Sequence, residues 1–315
     1  MKQSPATTVF AIRLLRTTCF LLPWLVHLFV ADILLSALLP VSAVFPDLAY
    51  DLSSSIAASV WHGVQFIFTR LNHARIVVSG IQALPPSGES AIVVANHVEW
   101  TDFYLIQELA VHAGMLGRCR WFAKKQLKWV PFLGWGLWAM GMPLVNRKWT
   151  EDQQEMNRVF NGVLQRRWPM WLIAYSEATR YTPSKRKQAE TWCEANNKPL
   201  GKHLLYPRTK GFVASVQKLR AAPHVKAVYD VTIASARGDE FFQTPPTFAQ
   251  TMLTPRLDGE WRFFAHVDRY PLDELPTSDA ELAQWLETRW VEKGERLEQL
   301  KVRLEKGLPW VDMSV

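Results

Sequence analysis

Between residues 19 and 44 the chain is almost wholly apolar, interrupted at Pro23, His27, Asp32 and Pro40. This run exceeds the roughly 20 residues that a helix needs to cross the hydrocarbon layer of a bilayer. It is also too long for a signal-peptide core of about 7–15 residues, although Val41-Ser42-Ala43 mimics a cleavage site. The reading is an uncleaved membrane anchor, in which Asp32 is costly unless buried against protein. Lys2, Arg13 and Arg16 precede the run, and Asp47 and Asp51 follow it. The positive-inside rule therefore puts the N-terminus in the cytosol. A second apolar stretch, 55–69, is short for a span and carries His62. It either completes a hairpin, leaving the following domain cytosolic, or lies in the interface. If the first helix alone spans, the domain is lumenal.

After Arg70 short β-rich runs alternate with helical ones, the signature of an α/β layer fold. Strands are expected at 75–81, 91–95, 120–123, 142–145, 171–174, 227–233 and 261–267. Helices are expected at 101–112, 151–166, 184–196 and 211–219. A long charged helix, 278–305, closes the pattern. Its stripe of Leu282, Leu286, Val291, Leu297, Leu300 and Leu304 predicts docking on the domain. The expected division is an anchor at 1–70, a domain at 71–275 and this C-terminal helix within 276–315. A stretch from Trp129 to Met142 carries no charge, and reads either as core or as a membrane-facing or acyl-chain wall.

The net charge of +7 suits nucleic acid, anionic lipid or a phosphorylated substrate. No zinc-finger spacing, RNA-binding aromatic signature or dense basic run supports nucleic acid, which is therefore not expected as a partner. Cys19, Cys119 and Cys193 are scattered without a CxxC, so neither a disulfide framework nor a metal site is expected. HExxH, a phosphate-binding Walker loop and GxSxG are missing, and Gly134, Gly136 and Gly141 make no dinucleotide fingerprint.

Chemistry concentrates in Asn96-His97-Val98-Glu99-Trp100-Thr101-Asp102, which follows the apolar run 91–95. A histidine leaving a strand, with a carboxylate five residues on, makes a base-and-orienter pair. On one continuous helix five residues advance by roughly 500°, about 140° off the same face. The pair therefore works only with His97 in the strand-to-helix turn and Asp102 in the first helical turn. His27 and Asp32 repeat the spacing inside the apolar segment, with no strand before them and no other chemistry nearby. Three further clusters fall at expected strand ends or before a helix: Asn146-Arg147-Lys148, Glu177-Ala178-Thr179-Arg180 and 206–211. Ligands of α/β sheets bind beyond the carboxyl ends of strands. A His/Asp pair there with several cations describes a site for a phosphorylated alcohol.

At these residues the chain resembles the lysophospholipid/glycerolipid acyltransferases, especially the eukaryotic 1-acyl-glycerol-3-phosphate acyltransferase branch. The family's ordered motifs appear here as Asn96 to Asp102, Gly141 to Arg147, Glu177 to Arg180 and Leu205 to Gly211, and 124–135 is also similar. The resemblance covers about 91–233. It implies a single acyltransferase domain of α/β class, with a mixed β-sheet flanked by helices behind the membrane helix or hairpin. It further implies acyl transfer from acyl-CoA, as co-substrate, to a lysophospholipid, with lysophosphatidic acid the nearest match and lysophosphatidylinositol an alternative. No bound cofactor or metal is implied. Membrane lipids are the surrounding partners, in the endoplasmic reticulum with the catalytic domain facing the cytosol. The catalytic residues would be His97 and Asp102. Substrate binding would fall to Asn96, Arg147, Glu177, Thr179, Arg180, Pro207, Arg208 and Lys210. Two positions depart from the family pattern. Ala178 replaces a Gly, which strains the loop if the position needs a positive φ. Asn146 stands where relatives often carry an acid. These departures motivate the competing reading, a catalytically silent adaptor that binds anionic lipid.

Overall fold

The run Ala91-Ile92-Val93-Val94-Ala95 forms the centre of the molecule because its β-branched residues pack well on both faces of a sheet. The computed structural model of the chain describes residues 5–80, 85–131, 133–146 and 149–310. Its strands, in chain order, are β1 (Ile76–Ser79), β2 (Ser90–Ala95), β3 (Cys119–Trp121), β4 (Ala123–Lys124), β5 (Leu144–Val145), β6 (Trp171–Tyr175), β7 (Val225–Arg237), β8 (Phe241–Phe242) and β9 (Trp261–Pro271). The helices are α1 (Pro5–Arg16), α2 (Leu22–Val44), α3 (Pro46–Phe66), α4 (Asp102–His112), α5 (Leu133–Ala139), α6 (Trp149–Arg166), α7 (Pro183–Ala195), α8 (Thr209–Leu219), α9 (Phe248–Leu253) and α10 (Asp279–Glu305). The main sheet runs β1-β9-β7-β2-β6-β3, with β8 pairing β7, and β4 and β5 form a separate pair. It is mixed: β2 is parallel to both β6 and β7, whereas β7 is antiparallel to β9.

Alternation along β2 divides the core into two layers. Ala91, Val93 and Ala95 join Val64, Phe68, Tyr104 and Leu105 on the α3 and α4 side. Ile92 and Val94 face the opposite layer with Val159, Val216, Leu286 and Leu297 from α6, α8 and α10. Every residue of β2 is buried. The expected segments at 75–81, 120–123 and 142–145 shorten or split, because strand 75–81 lies at a sheet edge and the others meet at the small β4–β5 pair. Ile81 lies outside the described residues. The long strands β7 and β9 extend past their expected ends, since each supports the other over eleven paired positions from Ala227 to Arg237.

α10 docks as its stripe predicts, but Trp290, Lys293 and Gly294 complete the buried face where the apolar pattern places Val291. Lys293 reaches through the layer to Asp230 on β7 at 2.7 Å and to the carbonyl of Val231 at 2.6 Å. Burial pushes the Lys293 amine below its ordinary value, and Asp230 opposes that. Beside it Arg296 bonds Thr232 and Asp268.

The helix from Phe10 to Val44, 35 residues, is long and apolar enough to cross a membrane. Leu25, Val26, Phe29, Val30 and Leu34 lie exposed on it. Its other face packs on α3, with the Trp24 indole donating to the Val60 carbonyl at 3.1 Å. α3 is itself fastened along its length to the sheet layer. Asp51 pairs with Arg118, the Tyr50 hydroxyl donates to the Pro169 carbonyl, and Gln65 donates to Tyr104 and Glu108. The uncharged stretch divides accordingly. Trp129, Val130 and Trp135 are exposed, while Met140, Met142 and Leu144 are buried. In α5 a side chain on Gly136 would collide with Asp32 and press on Leu35, so glycine permits the close approach of α2.

A charge left alone in this interior is far more damaging than the pair. Asp230→Ala should therefore lower stability by about 3–5 kcal/mol by stranding Lys293, and Asp230→Ala with Lys293→Met should recover most of the loss. Thermal denaturation of the detergent-solubilised protein reads both. A single variant as stable as the parent would contradict the buried pair.

Candidate active site

β2 ends at Ala95, and the next residues carry the site because they must turn away from a fully buried strand. Asn96 is buried and stays in the ladder: its amide accepts from Ile233 N and donates to Ile233 O, both at 2.9 Å. His97 then lies in the turn, and Asp102 is the first residue of α4, the arrangement that the five-residue spacing requires. One carboxylate oxygen of Asp102 accepts from His97 Nδ1 at 2.8 Å and from the backbone N–H of Val98 and Glu99 at 2.5 and 3.0 Å. With Nδ1–H committed to the carboxylate, the Nε2 lone pair is the free base. The His97 side chain keeps 18% of its accessibility and Asp102 only 5%, so the base is reachable and its orienter is not. Burial pushes the Asp102 carboxyl above its ordinary value, against the pull of His97 and the two backbone donors. His27 and Asp32, the sequence decoy, go separate ways: His27 meets Ser59 on α3, and Asp32 is buried near α5.

The turn after β6 closes over this pair. Tyr181 N donates to the His97 carbonyl at 2.8 Å. Glu177 accepts from His97 N through one oxygen and from Leu205 N through the other, each at 3.0 Å. Arg180 forms an ion pair with Glu99. Thr179 receives a hydrogen bond from Lys185 Nζ at 2.6 Å. Pro207 is buried, whereas Arg208 and Lys210 are exposed at the start of α8, and Arg208 N donates to Ser176 O at 2.6 Å. The three segments therefore share one end of the sheet.

Two models of known families match the chain, the acyltransferase model over residues 75–236 and the acyltransferase C-terminus model over residues 261–305. The chain belongs to the acyltransferase family. It is 31% identical over 211 residues to 1-acyl-sn-glycerol-3-phosphate acyltransferase 2 of Brassica oleracea, covering 67% of this chain and 51% of that protein. It is 29% identical to lysocardiolipin acyltransferase 1 of Gallus gallus, covering 71% and 57%. Human 1-acyl-sn-glycerol-3-phosphate acyltransferase gamma is 30% identical over 288 residues, covering 91% and 73%. The chain thus spans little more than half the length of several of the curated relatives it matches. The crystal structure of the 1-acyl-sn-glycerophosphate acyltransferase of Thermotoga maritima aligns with a TM-score of 0.48 at 16% identity, over 85% of this chain and 97% of that one.

Within this member of the family the expected binding residues take different places. Asn96 and Glu177 are buried, and each of their polar atoms has a backbone partner, so both brace the loops around His97. Arg180, Arg208 and Lys210 are exposed, and Arg147 lies outside the described residues. Glu99 as the resting partner of Arg180, and Lys185 beneath Thr179, were not expected. No local pattern in the sequence points to Lys185, which meets Thr179 across the turn into α7. No group of three or more His, Cys, Asp or Glu side chains that could hold a metal ion occurs among the described residues.

Ala178 has φ +55°, the positive value that makes glycine the usual choice there. The left-handed conformation costs an L-residue roughly 1–2 kcal/mol, part of which glycine's chain entropy offsets. Ala178→Gly should therefore raise stability by about 0.5–1 kcal/mol, read as a higher thermal midpoint. An unchanged or lower midpoint would show an unstrained turn. Burial also pushes the Glu177 carboxyl up to about 8, against the two backbone donors. A carboxyl raised above its ordinary 4.5 contributes stability that is complete below that value and is lost as the pH rises through 8. From about pH 6 to pH 9 the parent's midpoint should fall more steeply than that of Glu177→Gln. Parallel slopes would refute the raised carboxyl.

Proposed function

We propose that this protein transfers a fatty acyl group from acyl-CoA to the free hydroxyl of a lysophospholipid, with lysophosphatidic acid the preferred acceptor. The observation that carries the reading is His97, reachable by solvent at the end of β2, with Nδ1 fixed by buried Asp102. Nε2 takes the proton of the acceptor hydroxyl as its oxygen attacks the thioester carbonyl. The resulting tetrahedral intermediate collapses with loss of the CoA thiolate, and the imidazolium returns the proton to that sulfur. The new ester forms as the C–S bond breaks, so no enzyme nucleophile is needed. Asp102 stabilises the imidazolium without itself taking the proton.

Arg180 is the cation best placed for the acceptor phosphate, because its present partner Glu99 is only part-buried and sits on the same loop as His97. A phosphate would replace Glu99 on the guanidinium fork. Arg208 and Lys210 add positive charge beside the same end of the sheet, and by family resemblance Arg147 joins them. The choice of lysophosphatidic acid rests on two relatives named for 1-acyl-sn-glycerol-3-phosphate. The lysocardiolipin relative supports the broader reading of an anionic lysophospholipid. The long apolar helix, its exposed Leu and Val side chains and the exposed Trp129 and Trp135 support membrane attachment. An endoplasmic reticulum location and a cytosolic catalytic face belong to the same proposal.

His97→Ala should abolish acyl transfer while the protein level and thermal midpoint stay near those of the parent; retained turnover would sink the mechanism. Arg180→Ala should lower kcat/KM for a phosphorylated acceptor by roughly 10- to 100-fold, with only partial recovery in Arg180→Lys. An unchanged kcat/KM would remove Arg180 from the acceptor site. Offering several lysophospholipids with labelled oleoyl-CoA ranks the acceptors, and preference for zwitterionic lysophosphatidylcholine would overturn both the narrow and the broad choice. Lipid binding with no release of CoA thiol would favour the silent adaptor instead.

A further inference from the structure

Tyr175 occupies a position that the His/Asp motif does not foretell. It ends β6 directly beside Ala95, the last residue of β2, in the parallel register. Two residues beyond Ala95 the chain bends back over that strand end, and the His97 imidazole comes to lie flat on the Tyr175 ring. The centroids are 4.0 Å apart and the planes 10° from parallel. Tyr175 is held in turn: Trp121 on neighbouring β3 packs against it at 5.8 Å, and Phe103 of α4 packs on Trp121 at 5.0 Å. Its hydroxyl is buried and has no hydrogen-bond partner among the described residues, so no internal hydrogen bond explains the ring's placement.

We propose that Tyr175 is a positioning residue for acyl transfer, acting through the face of its ring on His97. This inference rests on the reading of His97 as the general base. Asp102 fixes one edge of the imidazole but leaves rotation about the Nδ1 hydrogen bond unrestrained. The tyrosine face removes that freedom, so Nε2 keeps one bearing toward the acceptor hydroxyl. The same face carries the negative end of the ring quadrupole and favours the imidazolium that forms when the proton is taken. The other charged groups around His97 are accounted for. Asp102 comes from α4, Glu177 holds the His97 backbone N–H, and Arg180 is paired with Glu99 across the loop. Among the aromatic contacts of His97 in the described residues, the stack on Tyr175 is the one that meets the imidazole face.

The test uses the protein in detergent or vesicles with oleoyl-CoA and lysophosphatidic acid, comparing the parent, Tyr175→Phe, Tyr175→Leu and His97→Ala. Tyr175→Leu should lower kcat roughly tenfold or more with KM for both substrates nearly unchanged. Without the ring face the imidazolium loses support, so the acid limb of the kcat/KM profile should move to lower pH by roughly half to one unit. Tyr175→Phe keeps the face and loses only the hydroxyl, and should return kcat to within about threefold of the parent, with the limb in its original place. A Leu variant with parental kcat and limb would overturn the proposal, as would a Phe variant as impaired as Leu, which would assign the effect to the hydroxyl. A Leu variant with lower activity but an unmoved limb would reduce Tyr175 to packing and also overturn it. Activity in His97→Ala would refute the base reading itself, whereas an inactive His97→Ala beside an unaffected Tyr175→Leu would refute only the role of Tyr175.

Discussion

One oxygen of Asp102 organises the site. It receives the imidazole N–H and two consecutive backbone N–H groups, so a single carboxylate sets the tautomer of His97 and shapes the turn that carries it into α4. The position at the first residue of the helix adds the favourable interaction of a negative charge with the helix N-terminus. Folding and chemistry are thereby coupled, since the turn that allows β2 to leave the sheet is the same turn that presents the base.

Around this oxygen the polar groups of the motifs divide into braces and reachable cations. Asn96 continues the sheet ladder to β7, and Glu177 ties the His97 turn to the segment before α8. The Glu177 carboxyl, pushed up to about 8 by its burial, is mostly protonated at neutral pH and so adds little negative charge beside an anionic substrate. Arg180, Arg208 and Lys210 lie outside that framework and remain exposed. Beneath it, the Asp230–Lys293 pair fastens α10 to β7. The α2–α3 hairpin fixes the long apolar helix to the opposite layer through Trp24, Asp51 and Gln65.

Much of this was legible in one dimension because it depends on local pattern. The apolar run of β2 needs burial on both faces, and the five-residue spacing allows only one useful placement of His97 and Asp102. The positive φ at Ala178 meets the condition raised by the family's glycine at that position. What escaped is non-local. Tyr175 meets His97 through strand register, Glu99 meets Arg180 across two loops, and the partners of Asn96 and Glu177 are backbone groups that no side-chain pattern records. The same limit applies to α10, where a charged Lys293 lies on the buried face because its partner is more than sixty positions away. Likewise the stretch from Trp129 to Met142 is partly core and partly surface, a division set by the packing of α5 on α2.

The central claim is that Asp102 serves the base and not merely the loop. Asp102→Asn separates the two, because the amide oxygen still accepts from Val98 and Glu99 while the carboxylate charge facing the imidazolium is gone. Turnover of acyl-CoA with lysophosphatidic acid, measured beside the thermal midpoint, should show kcat reduced by at least about a hundredfold with the midpoint close to the parent's. Near-parental turnover in that variant would contradict the account.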